Sequence, residues 1–138
     1  MKNKTNRLHA AVAACLLVIL TTGLRAADLS ESDKQFLTGY EQIRAALAAD
    51  NLADAKKAAA VLGEEGAPLA KSDSIVSARK EFTTLSERAI KLAAGQEGYY
   101  VVNCPMLKKD WVQTSDKIAN PYAGSSMLTC GVIRKKAN

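Results

Sequence analysis

Histidine occurs once in this chain, at His9, and tryptophan once, at Trp111; cysteine is confined to Cys15, Cys104 and Cys130. These shortages exclude whole classes of chemistry. His9 lies in a segment that reads as a removable leader, so the remaining chain has no imidazole. Neither a Ser-His-Asp nor a Cys-His nucleophile can then be assembled. A blue-copper centre of two histidines and a cysteine is excluded, as are zinc sites that use histidine. Two cysteines fall short of a four-thiolate zinc or iron–sulfur site. No Cys-x-x-Cys pair is present for redox work of the thioredoxin kind. A serine–lysine pair is the catalytic option left open, but no such arrangement stands out, and no enzymatic activity is expected.

Long apolar runs are also scarce. The one that stands out, "AAVAACLLVIL" from Ala10 to Leu20, follows a basic start with Lys2, Lys4 and Arg7 and precedes "TTGLRAADLS". That order is the tripartite pattern of a secretory signal peptide, and the run is shorter than the roughly 20 residues of a membrane span. The expected signal covers 1–26, with Leu24 and Ala26 at the recognition positions. A cut after Ala27 would put Arg25 where a small residue is preferred. "VAAC" at Val12–Cys15 resembles a lipoprotein box, but such a box closes the apolar run and here "LLVIL" continues beyond it. Cys15 therefore reads as part of the leader. The expected location is the periplasm, with no membrane span after cleavage.

Basicity disappears with the leader. It holds 4 of the 19 basic residues and none of the 14 acidic ones, so the formal net charge falls from +5 to +1. A nucleic-acid surface would want a strongly basic domain, and no nucleic-acid partner is expected.

What is present divides into two unlike parts of a single domain, 27–138. Residues 27–95 are rich in Ala, Leu, Lys and Glu. Ser30 followed by Asp33 resembles a capping box, and Phe36, Leu37, Tyr40, Ile43 and Leu47 recur at helical spacing, predicting a helix over 31–49. Asp50 or Asn51 can cap a second, with Leu52, Ala55, Ala59 and Leu62 on one stripe and Gly63 ending it. "GEEGAP" reads as a loop. A third helix starts near Ser74, where Ile75, Ala78, Phe82, Leu85, Ala89 and Leu92 alternate steps of three and four; Gly95 ends it. Alanine favours helix but buries little area, so this core is thin and such a scaffold gains from a staple.

Residues 96–138 differ. "YYVVNC" and "MLTCGVI" are β-prone, "NPYAG" is turn chemistry, and "RKKAN" reads as a solvated tail. Two short strands would bring Cys104 beside Cys130. The fold expected is mainly α: a three-helix bundle with a two-stranded C-terminal element carrying a sulfur cluster.

That cluster has two readings. A Cys104–Cys130 disulfide would close a loop of roughly 26 residues, worth about 3.5 kcal/mol in the chain-entropy account, and suits an exported protein. It leaves the methionines unexplained. Met1 is the initiator, and both internal methionines, Met106 and Met127, lie within three residues of a cysteine. Thiolates and thioethers are soft donors that select Cu(I). Cys104, Met106, Met127 and Cys130 would suit Cu(I) or Ag(I). Trp111 reads either as a core anchor or as a ring laid over a bound cation.

"NCPM", then Trp111, then "NPYAGSSMLTCG" resemble the C-terminal signature of the domain of unknown function 3347 family, and "RKEFTTLSERAIKL" (Arg79 to Leu92) resembles its Arg-x-x-Phe-x-x-Leu-Ser helix. Together these cover about residues 34–133. Members of that family are exported bacterial domains, alone or fused to periplasmic adaptors of copper and silver efflux pumps. The resemblance implies a periplasmic metal-binding protein in heavy-metal efflux, with ligands at Cys104, Met106, Met127 and Cys130 and a turn at Asn120, Pro121, Tyr122 and Gly124 shaping the site. Many members carry His or an aromatic residue before the Cys-Pro-Met; here Asn103 stands there. The expected partner is a periplasmic adaptor or pump component. The competing expectation is a disulfide-stapled interaction module without metal.

Overall fold

A computed structural model of the protein describes residues 28–136. The expected signal segment, with His9 and Cys15, lies outside the described residues.

The helical part follows its caps. Ser30 Oγ accepts the Asp33 amide at 3.1 Å and donates to the Asp33 carboxylate at 2.6 Å, starting α1, Glu31–Ala48. Asn51 Oδ1 accepts the Asp54 amide at 3.0 Å and starts α2, Leu52–Val61. These side-chain oxygens satisfy amides that have no partner in a first turn. A full capping box between Ser74 and Ser77 starts α4, Ile75–Ala93. Between them a single turn, α3, Ala67–Ala70, forms on Pro68 and buries Leu69. It begins within "GEEGAP", where a loop was expected; Pro at the start of a helix costs no hydrogen bond. The mainly α fold is thus present, with four helices in place of three.

The sheet departs further from expectation. Strand β1, Tyr100–Cys104, matches the β-prone run that Pro105 ends. It forms a hairpin with β2, Lys109–Gln113, in the register Cys104↔Lys109 through Tyr100↔Gln113. Its other edge pairs antiparallel with β3, Val132–Lys136, giving the order β2-β1-β3. Met127 and Cys130 are not in a strand. Gly124–Met127 is a 3-10 turn, and the Cys130 amide closes a further turn on the Met127 carbonyl at 3.0 Å. The strand begins only after Gly131, and it takes in Arg134, Lys135 and Lys136 of the expected tail.

Both parts share one core. Phe36, Leu37, Tyr40, Ile43 and Leu47 of α1, Ala55 and Ala59 of α2, and Ala78, Phe82, Leu85 and Ala89 of α4 are buried as the spacing predicts. Val102, Cys104, Trp111 and Val112 of the sheet join them in the same cluster. A series of rings binds the two parts: Phe36 to Tyr40 at 6.2 Å, Tyr40 to Phe82 at 5.0 Å, Phe82 to Tyr122 at 5.5 Å and Tyr122 to Trp111 at 6.3 Å between centroids. Offset and edge-on pairs at such distances add about 0.5–1.5 kcal/mol each beyond the area they bury.

Candidate functional site

Cys104 is the last residue of β1, and Cys130 arrives two residues ahead of β3. The register Asn103↔Val132 therefore carries the two cysteines to the same end of the sheet, where their sulfurs lie 2.7 Å apart as free thiols. Cys104 is fully buried, while Cys130 is half-buried. The two sulfurs thus have different surroundings, one in the core and one reached from solvent.

The hairpin turn supplies donors. Burial pushes the Cys104 thiol up, but hydrogen bonds from Cys130, from the Leu107 and Met106 amides and from the Asn120 side chain outweigh it and hold Cys104 below the ordinary thiol range. Cys130 is pushed up, chiefly by its hydrogen bond to Cys104, then by burial and by the negative charge forming on its neighbour. The two shifts run in opposite directions, the buried sulfur down and the half-buried one up. Such a pair loses its first proton easily and its second with difficulty.

Asn120 links the site to its loop. It is fully buried, and its Oδ1 accepts the Tyr122 and Ala123 amides at 2.9 and 3.2 Å. Its Nδ2 donates to the Cys130 carbonyl at 3.0 Å, and its own amide donates to the Leu128 carbonyl at 2.8 Å. One side chain therefore folds the Asn-Pro-Tyr turn, as such residues do, and positions both cysteines.

Helix residues hold this loop in place. Arg79 Nε donates to the Pro121 carbonyl at 2.9 Å, and its Nη2 to the Leu47 carbonyl at 2.9 Å and to Asp50 Oδ1 at 2.6 Å. Asp50 Oδ2 accepts the Ser125 amide at 2.9 Å and its hydroxyl at 2.6 Å. Arg44, braced by both Glu41 oxygens, donates to the Ala119 carbonyl at 3.0 Å. The Tyr122 hydroxyl donates to Ser86 Oγ at 3.0 Å, which also lies 3.0 Å from the Tyr40 hydroxyl. Residues of the "RKEFTTLS" stretch, namely Arg79, Phe82 and Ser86, thus touch the "NPYAG" loop directly. The two stretches form one structural unit.

The remaining candidates are placed less tightly. Met106 sends its amide toward both sulfurs, but its side chain is 74 % exposed. Met127 is half-buried on the 3-10 turn. Trp111 is fully buried, donates to Gln113 Oε1 at 3.0 Å and lines the space beside Gly131. Gln113 Nε2 donates to the Ser115 and Lys117 carbonyls at 2.6 and 2.9 Å, which fixes the start of the loop. Among the described residues no three of His, Cys, Asp and Glu converge as metal ligands; of the four predicted ligands the structure brings together the two thiols.

Arg44, Arg79, Asp50 and Gln113 were missed as site residues. The available clue was position: Arg44 is four residues after Tyr40 and Arg79 follows Ala78, so both charges border a buried helical face. No family model, curated protein or solved structure matches the chain.

Proposed function

We propose that the protein is an exported carrier of a soft monovalent ion, Cu(I) or Ag(I), which it buffers or hands to an adaptor of a heavy-metal efflux system. The ion is cargo: its metal–sulfur bonds would be exchanged one at a time for those of a partner, and each thiol that takes it up would release its proton. Cys104 and Cys130 would supply the thiolates, with the thioethers of Met106 and Met127 as weaker donors. The observation that carries this reading is the convergence of two thiols at one end of the sheet, one buried in the core and one half-buried at its edge. Soft sulfur donors favour these ions over harder ones. Met106 in solvent suits a rim ligand that closes on an arriving ion and opens toward a partner. The Asn120, Pro121, Tyr122 and Gly124 turn would hold Cys130 in place, and buried Trp111 would serve as a wall rather than as a ligand.

Titration of reduced protein with Cu(I) against a competing chelator tests the reading. One tightly held ion per chain is expected. Cys104→Ser or Cys130→Ser should weaken binding far more than Met106→Leu or Met127→Leu, because only the thiolates bring charge. Equal losses from all four would remove the thiolates from their leading role.

The sulfur separation of 2.7 Å favours a second reading, a stapled interaction module whose Cys104–Cys130 disulfide is permanent. Intact mass and a free-thiol count on the exported protein separate the two. Two oxidised sulfurs that resist reduction and never yield to Cu(I) would decide for the staple.

A further inference from the structure

We propose that Cys130 is the sulfur through which an external thiol opens a Cys104–Cys130 disulfide, with Cys104 expelled as the thiolate. The exchange opens a closed form without cargo to a dithiol, and an external disulfide, reduced to two thiols, closes it again by the reverse steps. Only the link to cargo rests on the metal reading; the direction of attack rests on geometry alone.

The sulfurs are 2.7 Å apart, and a disulfide bond of about 2.05 Å is reached by a movement of less than an ångström. A thiolate attacks a disulfide sulfur with the leaving sulfur behind it, so the attacked sulfur must be open on its far side. Cys104 is fully buried and belongs to the core cluster with Val102 and Trp111. Cys130 is half-buried in a segment whose neighbours Leu128 and Thr129 are exposed. The accessible face of the pair is therefore the Cys130 face.

The chemistry balances with one class of co-reactant. The external thiolate forms a new S–S bond to Cys130 while the Cys104–Cys130 bond breaks, and the electron pair of that bond goes to Cys104. A second external thiolate then attacks the first external sulfur and releases Cys130 as a thiolate. The pair has gained two electrons, and two external thiols have become one external disulfide.

The test uses the whole leaderless protein with glutathione as the probe. Protein oxidised with oxidised glutathione is treated briefly with the reduced form, quenched with an alkylating agent and mapped by peptide mass. The expected product carries glutathione on Cys130 and the alkyl group on Cys104. Glutathione on Cys104, or a pair that stays reduced under the oxidant, would overturn the proposal. In single variants, a small aromatic disulfide should react at least tenfold faster with Cys130 in Cys104→Ser than with Cys104 in Cys130→Ser. Equal rates, with both variants showing wild-type circular dichroism, would also overturn it. A parallel Cu(I) titration of reduced wild-type protein separates the two ideas. No uptake with the adduct on Cys130 removes the metal reading and leaves the exchange. Uptake with the adduct on Cys104 does the reverse.

Discussion

Asp50 holds a left-handed φ of 55° just before the cap of α2, a conformation Asp tolerates better than most residues. Its carboxylate faces Ser125 and Arg79. The Ser125 hydroxyl and amide, then Arg79, hold it well below its ordinary value of 3.8. Asp33 is lowered in the same direction by Ser30 first and Arg88 second. A carboxylate depressed in the folded state stabilises the fold fully above its unfolded value and loses that contribution as pH falls toward the folded one. Resistance to urea should therefore drop as pH falls below about 4. Asp50→Asn should start lower at pH 7 and show a shallower drop, measured by urea midpoints across that range. An unchanged slope would remove Asp50 from the acid response. Asn120→Ala leaves the Tyr122 and Ala123 amides and the Cys130 carbonyl without their partner, at a cost of about 1–3 kcal/mol in chemical denaturation. At this scale the sequence was legible where chemistry is rare. Two cysteines in the C-terminal part invite pairing, and Asn-Pro-Tyr invites a turn. It was opaque at Arg44 and Arg79: their place beside a buried helical face hints at burial, but nothing local names the distant carbonyls they bond.

Among elements, α1, α2 and α4 were legible because their causes are local, whereas the single turn of α3 was not. Ser30, Asn51 and Ser74 each cap the turn that follows, and the apolar spacing of α1 and α4 buries the residues it predicts except Ile75 and Leu92, which stay half-buried at the two ends of α4. Strand β2 was hidden because Lys109, Asp110 and Gln113 make three of its five residues polar, and its pairing depends on a hairpin turn that puts Lys108 at φ 52°. The 3-10 turn, Gly124–Met127, was hidden because what decides it is docking against the α1–α2 connection and α4. Gly124 shows that docking. Its φ is 55°, and a Cβ there would run into the Asp50 carboxylate and the Arg79 guanidinium. Gly124→Ala combines an unfavourable backbone with a clash at the clasp, and a loss of more than about 1 kcal/mol is expected in thermal or urea unfolding. A wild-type midpoint would mean that the loop lifts away from the helices without penalty.

On the scale of the molecule, helices and sheet bury their apolar faces in one shared cluster, so they should lose structure together. Trp111, the single tryptophan, reports the sheet, and far-ultraviolet circular dichroism reports the helices. Their urea transitions should coincide, as two-state unfolding requires; separated midpoints would mean independent halves. Oxidation of the cysteine pair should raise stability by up to about 3.5 kcal/mol, while the reduced protein stays folded because Arg44, Arg79 and Tyr122 already hold the loop. A reduced protein without a cooperative transition would make the cross-link indispensable. The arginine clasp also bears on portability. An excised peptide of the last forty or so residues would carry both sulfurs but neither guanidinium, and should be unstructured by circular dichroism. A designer grafting this thiol pair onto another host would have to transplant a piece of the helical floor with it.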